Sequence, residues 1–178
     1  MSEFSKEFGK ALYLLAEEES ETLDILNELE IIDSVINKNR EYINLMDTPA
    51  ILQEKKVSLI DDAFSGCSLY VRNFLKILSK KKCFYKLSDC VKEYKKLYDK
   101  NNNIERVKVI TCVPLREDQI LRLKEKIEQK IKKEAIINNQ VDKSILGGAV
   151  VEFSDWQYDS SLRTKLDNLS DLIKGSIF

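Results

Sequence analysis

The sequence predicts a mainly α-helical protein: an N-terminal six-helix bundle over residues 1–103, then a small α/β domain over 104–178. Three observations predict it. Five glycines and two prolines in 178 residues are too few chain breakers for a many-turned all-β architecture and suit long helices. From Glu3 to about Asn103 the apolar residues recur at helical spacing. After the run Asn101-Asn102-Asn103 the period drops to two and β-branched residues take over.

In the first part, Phe4, Phe8, Ala11 and Leu15 form one apolar stripe, and Leu23, Ile25, Leu26, Leu29, Ile32 and Ile36 form the next, after the acidic break Glu17 to Glu21. Tyr42, Ile43, Leu45 and Met46 mark a short third helix. Thr48 as cap and Pro49 in the first turn predict the start of a fourth helix, which should run to about Phe64 and stop at Ser65-Gly66. Leu69 to Leu78 reads as the fifth, and Phe84, Leu87, Val91, Tyr94, Leu97 and Tyr98 as a long sixth. Helices with such short links form a bundle. In the second part, Val107, Val109, Thr111 and Val113 alternate as a strand ended by Pro114. A helix from about Glu117 to Lys133 follows. Strands are then expected over Ala135–Val141, Ala149–Phe153 and Trp156–Tyr158, and a closing helix carries Leu162, Leu166, Leu169 and Ile173.

Composition removes most catalytic chemistry. The chain contains no histidine, so a Ser-His-Asp triad, a Cys-His dyad and any His-bearing metal site are excluded. Cys67, Cys83, Cys90 and Cys112 form no CxxC pair; they read as small hydrophobes, with neither a disulfide framework nor a metal site expected. No apolar run approaches the roughly 20 residues of a membrane span, and Met1-Ser2-Glu3-Phe4 does not open a targeting segment. The net charge of −1 hides an asymmetry: residues 1–62 carry 15 acidic and 6 basic side chains, residues 63–178 carry 15 and 23. Such polarity suits two ends that meet different partners.

No catalytic constellation emerges. The pairs Asp61-Asp62 and Glu117-Asp118 fall at expected helix ends, where carboxylates complement the helix dipole or stay solvated. Leu146-Gly147-Gly148 lacks the spacing of a phosphate loop and reads as a bulge or tight turn beside a strand. The lysines from Lys80 to Lys100 raise an alternative function, a nucleic-acid-binding helical adaptor. Asp89, Glu93 and Asp99 dilute that stretch, so a solvated helix face is the better reading. A small-molecule enzyme with a site between the domains is a further rival that no motif supports.

One anomaly remains. At 100° per residue the apolar arc of the first helix extends past its stripe to Leu14 on one flank and to Leu12 and Ala16 on the other, with Tyr13 nearly opposite. The fifth helix is similarly broad, since Tyr70, Phe74 and Ile77 widen the Val71/Leu75/Leu78 stripe. A surface helix needs one apolar face. Either both helices are central, or a groove between them accepts an amphipathic helix from a partner.

Several motifs, taken in order, resemble one family. Phe8-Gly9-Lys10-Ala11-Leu12-Tyr13 with Leu15-Ala16 is similar to the opening Tyr-Ala-x-Ala-Leu motif of the bacterial F-type ATP synthase delta subunits and the related oligomycin-sensitivity-conferring proteins. Asn73-Phe74-Leu75-Lys76-Ile77-Leu78 resembles their mid-chain Asn-Phe-Leu-x-x-Leu, although Lys81, Lys82 and Cys83 stand where an arginine is usual. Val109 to Leu115 resembles Val-x-Ser-Ala-x-Pro-Leu. Val141-Asp142-Lys143-Ser144-Ile145-Leu146-Gly147-Gly148 looks like Val-Asp-x-x-Leu-Ile-Gly-Gly, and Asp159 to Leu166 like Asp-Gly-Ser-x-x-x-x-Leu, with Ser160 in place of the glycine.

The resemblance implies a non-catalytic stator subunit, without cofactor or metal, that links the catalytic head to the peripheral stalk so that proton-driven rotation is coupled to ATP synthesis. It implies that the helical domain receives the N-terminal helix of an α subunit between its first and fifth helices, the pair marked by the broad arcs. Phe8, Ala11, Leu12, Leu15, Phe74 and Ile77 are the residues expected to line or support that groove. The C-terminal domain is expected to meet the C-terminal ends of the b subunits, with Gly147, Gly148, Asp159, Arg163 and Leu166 shaping the domain and its stalk contact. It further implies one copy per complex at the cytoplasmic face of a bacterial plasma membrane, held there through the complex alone, with no nucleic acid bound.

Overall fold

A computed structural model describes residues 3–145, 147–153 and 156–159. The chain divides into two compact units, residues 1–98 and 99–178. The division falls a few residues before the change of hydrophobic period at Asn103. Asp99 explains the offset, because its carboxylate accepts a hydrogen bond from Arg106 Nε at 2.7 Å and ties the last turn of a helix to the strand that follows.

The first unit is built from α1 (Glu3–Glu18), α2 (Thr22–Lys38), α3 (Arg40–Asp47), α4 (Gln53–Ala63), α5 (Leu69–Lys80), a 3-10 turn (Phe84–Lys86) and α6 (Leu87–Asn101), whose last residues pass into the second unit. α2 supplies the spine of the core, with Ile25, Leu26, Leu29, Ile32 and Ile36 buried at helical spacing. Each such side chain contributes about 1.5–3 kcal/mol by leaving water. Tyr94 of α6 is fully buried; its ring meets that of Tyr13 edge-on at 5.3 Å, and its hydroxyl donates to Thr22 O at 3.0 Å.

One expectation needs correction here. Thr48-Pro49 does not open α4, which begins only at Gln53 after Leu52. Instead the Thr48 N–H donates to Asn44 O and closes α3. The buried ammonium of Lys56 donates to Met46 O at 2.7 Å and Thr48 O at 2.6 Å, placing a cation on the negative end of the α3 dipole. Pro49 therefore belongs to the connecting turn. The structure also decides which side of α1 is buried. Its buried residues are Ser5, Gly9, Leu12, Tyr13 and Ala16, a face about 115° away from the Phe4/Phe8/Ala11/Leu15 stripe at 100° per residue. Tyr13, opposite that stripe, faces the core. Gly9 makes this packing possible: a Cβ there would lie 2.8 Å from Cys90 O and 3.0 Å from Glu93 Cβ.

The second unit carries β1 (Ile104–Thr111), α7 (Glu117–Ile131), β2 (Glu134–Val141), β3 (Ala149–Glu152) and β4 (Gln157–Asp159). The sheet order is β2-β1-β3-β4. β1 and β2 are parallel and joined through α7, while β1 with β3 and β3 with β4 are antiparallel. Parallel neighbours need such a crossover. Val107, Val109 and Ala135 are buried with Ile127 of α7, and Leu123 and Ile131 pack against them. Asn139 fixes the end of β1: its amide nitrogen donates to Val109 O and Thr111 Oγ1, and its oxygen accepts from the Leu115 N–H, all at 2.9 Å. The expected closing helix lies outside the described residues.

Candidate functional site

The six residues expected to line a groove come together. Phe8, Ala11, Leu12 and Leu15 of α1 face Phe74 and Ile77 of α5 across a cavity of about 230 Å³, with Tyr70 and Asn73 completing the wall. The structure also sorts their roles. Leu12 is 5 % exposed and Phe74 6 %, so they belong to the core and form the floor; Leu15 is 37 % exposed and Ile77 45 %, and with exposed Ala11 and half-buried Phe8 they form open walls. Phe4 extends the wall by one turn, its ring stacked on Phe8 at 4.1 Å, and the Lys86 ammonium lies 4.9 Å above the Phe4 ring. At the other end the Tyr70 hydroxyl donates to the Glu19 carboxylate, which pushes the phenol's pKa up.

Local chemistry holds α5 in place. Ser68 caps α5, accepting from the Val71 N–H at 3.3 Å, and Glu28 of α2 accepts from both the Ser68 N–H and its hydroxyl. At the far end Asp47 accepts from the Phe84 and Tyr85 N–H groups at 2.7 and 3.0 Å and fixes the turn that follows α5. The α5 wall therefore stands on anchored helix ends. What the arrangement offers is a shallow apolar trough, open along the Ala11 line, with a shape suited to the ridge of another helix.

Sequence reasoning did not choose Asn73 or Tyr70 as lining residues. Their signal was present: positions 70, 73, 74 and 77 of α5 follow the i, i+3, i+4, i+7 rule for one helix face. A second hollow of about 440 Å³, lined by residues including Val35, Tyr42, Leu45 and Phe64, was not foreseen either. Burial pushes the Tyr42 phenol there up to about 12.

The C-terminal motif residues separate. Gly147 is buried; Gly148, at φ 83°, adopts the left-handed backbone that glycine favours just before β3. Asp159 ends β4 opposite Val150. Arg163 and Leu166 lie outside the described residues. Nearby, α7 and the β3–β4 hairpin enclose about 460 Å³ lined by residues including Leu123, Ile127, Val151, Phe153, Trp156 and Tyr158. Phe153 stacks on Trp156 at 4.0 Å, and both Trp156 and Tyr158 are exposed.

The remaining candidates resolve into ordinary contacts. Lys95 pairs with Glu30 at 2.5 Å, Lys92 approaches Asp89 at 4.0 Å and Lys86 covers Phe4, so the Lys80–Lys100 stretch is interrupted by its own partners. The four cysteines are free thiols, and burial pushes Cys90 up to about 11. Among the described residues, no group of histidine, cysteine or carboxylate side chains has metal-site geometry, and no helix is long and apolar enough to cross a membrane.

Comparison with known proteins identifies the family. The family model described as ATP synthase delta (OSCP) subunit matches residues 4–173. The ATP synthase subunit delta of Clostridioides difficile (strain 630) is 32 % identical over 92 % of both chains, and that of Clostridium perfringens (strain SM101 / Type A) is 30 % identical over 94 % of both. A chain in a cryo-EM structure of the Toxoplasma gondii mitochondrial ATP synthase hexamer superposes with a TM-score of 0.75, covering 97 % of this chain and 98 % of its own, at 16 % identity; that likeness is one of fold. With a family model spanning nearly the whole chain and relatives aligned end to end, the protein belongs to the ATP synthase delta (OSCP) family, as a non-catalytic structural subunit with a stator role in that complex.

Proposed function

We propose that the α1/α5 groove receives the N-terminal helix of an α subunit, and that the second unit meets the C-terminal ends of the b subunits of the peripheral stalk. One copy in each complex would then hold the catalytic head against the torque of the central shaft. The residues 1–103 part grips the head and the residues 104–178 part grips the stalk, at the cytoplasmic face of a bacterial plasma membrane that the chain touches only through the complex.

The observation that carries this reading is the open apolar stripe of α1. Ala11 and Leu15 face away from a core that is already closed by Leu12, Tyr13 and Ala16, half-buried Phe8 packs at its edge, and all three line a trough. Apolar walls of this kind are stabilised when a partner covers them. Stator work needs a firm grip without chemistry. Nanomolar docking corresponds to about −12 kcal/mol, which a well-packed interface of roughly 1,600 Å² can supply. The exposed rings of Trp156 and Tyr158 beside the α7 hollow support the stalk contact in the same way.

The test is titration of the full chain with a labelled peptide copying the N-terminal helix of the same organism's α subunit, beside co-purification with α, β and b subunits from membranes. Saturable binding that Ala11→Glu weakens by roughly a hundredfold is expected. A peptide that binds the variant as well as the parent chain places the contact elsewhere.

A further inference from the structure

The two ends of the groove carry opposite charge. α1 and α5 run antiparallel along it: Tyr70, at the start of α5, bonds Glu19 just past the end of α1, while Lys86, beyond the end of α5, covers Phe4 at the start of α1. At the Tyr70 end stand Glu17, Glu18, Glu19 and Glu21, all exposed. At the Ile77 end stand Lys80, Lys81 and Lys82, also exposed, with Lys86 half-buried behind them. Glu3 and Glu7 are matched on the first half of α1 by Lys6 and Lys10, and Lys10 is the last cation of that helix.

The acidic end is the physical anomaly. The C-terminus of a helix is the negative end of its dipole and favours cations, by roughly 0.3–1 kcal/mol per charge. α1 has no basic residue in its last turn and finishes in consecutive carboxylates. The lysines that end α5 complement their own dipole, and Glu21, the N-cap of α2, complements the start of that helix, so these need no further explanation, whereas Glu17 and Glu18 work against the dipole of α1. An arrangement unfavourable to the free subunit becomes favourable once a cation is laid across it.

We infer that the groove selects its occupant by charge polarity: an amphipathic helix whose cationic end lies over Glu17–Glu21 and whose anionic end lies over Lys80–Lys82. This rests on the reading of the groove as a helix-docking site and adds the direction of docking. Because helices commonly carry acids in the first turn and bases in the last, such an occupant runs parallel to α1 and antiparallel to α5. Charge at the rim acts mainly on encounter rate and register, and the apolar walls supply the affinity.

The experiment uses the full chain and three synthetic probe helices with one shared apolar stripe: one cationic at one end and anionic at the other, one with glutamates at both ends, and one with lysines at both. At low salt the dipolar probe should bind about tenfold tighter than either of the others, a gap that closes at high salt. A nitroxide on its cationic end should broaden the Tyr70 amide resonance more strongly than that of Ile77, about 10 Å further along α5. The variant Glu18→Lys should fold at least as stably as the parent, since it now suits the α1 dipole, and should reduce the preference for the dipolar probe. Equal affinity for all three probes, or stronger broadening at Ile77 than at Tyr70, overturns the polarity and leaves the groove reading intact. Failure of every probe to bind, or binding that Ala11→Glu does not weaken, overturns the groove reading itself.

Discussion

The two long faces of α1 behave oppositely to their composition. One face carries Ser5 and Gly9 among its five buried residues; the other carries Phe4, Phe8, Ala11 and Leu15 and stays partly open. The more apolar stripe is therefore the less buried one. The reason is steric. α6 comes close enough that a Cβ at position 9 would meet the Cys90 carbonyl oxygen, so the residue at that closest approach had to be small, while Phe4, Phe8 and Leu15 were left for the trough. A core contact rewards fit as much as hydrophobicity. A docking surface needs protruding apolar area that its own fold does not consume.

The largest expected effect breaks the buried face. Gly9→Leu should destabilise the first unit by about 3 kcal/mol, because the added atoms press on backbone of α6 that cannot swing aside. Thermal unfolding measures it, and an unchanged or higher midpoint would show that α1 is free to move outward. On the open face, Ala11→Glu should leave that midpoint within a degree or two while weakening capture of the α-subunit peptide by roughly a hundredfold, or about 2.7 kcal/mol. The contrast between these two variants, two residues apart, is the sharpest check on the division of faces. A milder change, Leu15→Ser, trims one exposed wall and should cost about tenfold in peptide affinity with little effect on folding.

Smaller effects sharpen the picture of the core. Tyr94→Phe removes the donor to Thr22 O and leaves that carbonyl without it, for a loss of about 1 kcal/mol in denaturant unfolding. The pH dependence should be nearly flat between about pH 5.5 and 8, since the chain has no histidine. Above that range the bundle weakens. Burial raises Cys90 from 9.0 to about 11 and Tyr42 from 10.0 to about 12. Both are neutral when protonated and folding retains the proton, so their contribution is intact below the unfolded values and is lost as pH climbs through the folded ones. Unfolding midpoints measured from pH 8 to 12 should fall over that window; a fall already complete by pH 9 would place the linkage on other groups.

Much of the element order was legible because period is a local property. The alternation at Val107, Val109 and Thr111 gave a strand, and the asparagines after α6 marked the change of architecture. Helix stops were harder. α1, α5, α6 and α7 are followed by left-handed Ser20, Lys82, Asn103 and Lys132 instead of glycine, so the usual punctuation was missing at most of them. Thr48-Pro49 misled for a related reason. The cap and first-turn chemistry it offers was overridden by a distant lysine, Lys56, whose ammonium takes the Thr48 carbonyl.

By itself the sequence determined the helical first part, the α/β second part, the lack of histidine chemistry and the pair of helices with more apolar surface than one face needs. It did so because hydrophobic spacing and residue chemistry are written along the chain. The tertiary structure decided which of those apolar residues are floor and which are wall. It also decided that Tyr13 points into the core, and that an acidic and a basic cluster from opposite parts of the chain stand at the two ends of one trough. Those facts depend on how closely α1 approaches α6 and on the antiparallel course of α1 and α5, distances between residues far apart in sequence that no local pattern encodes.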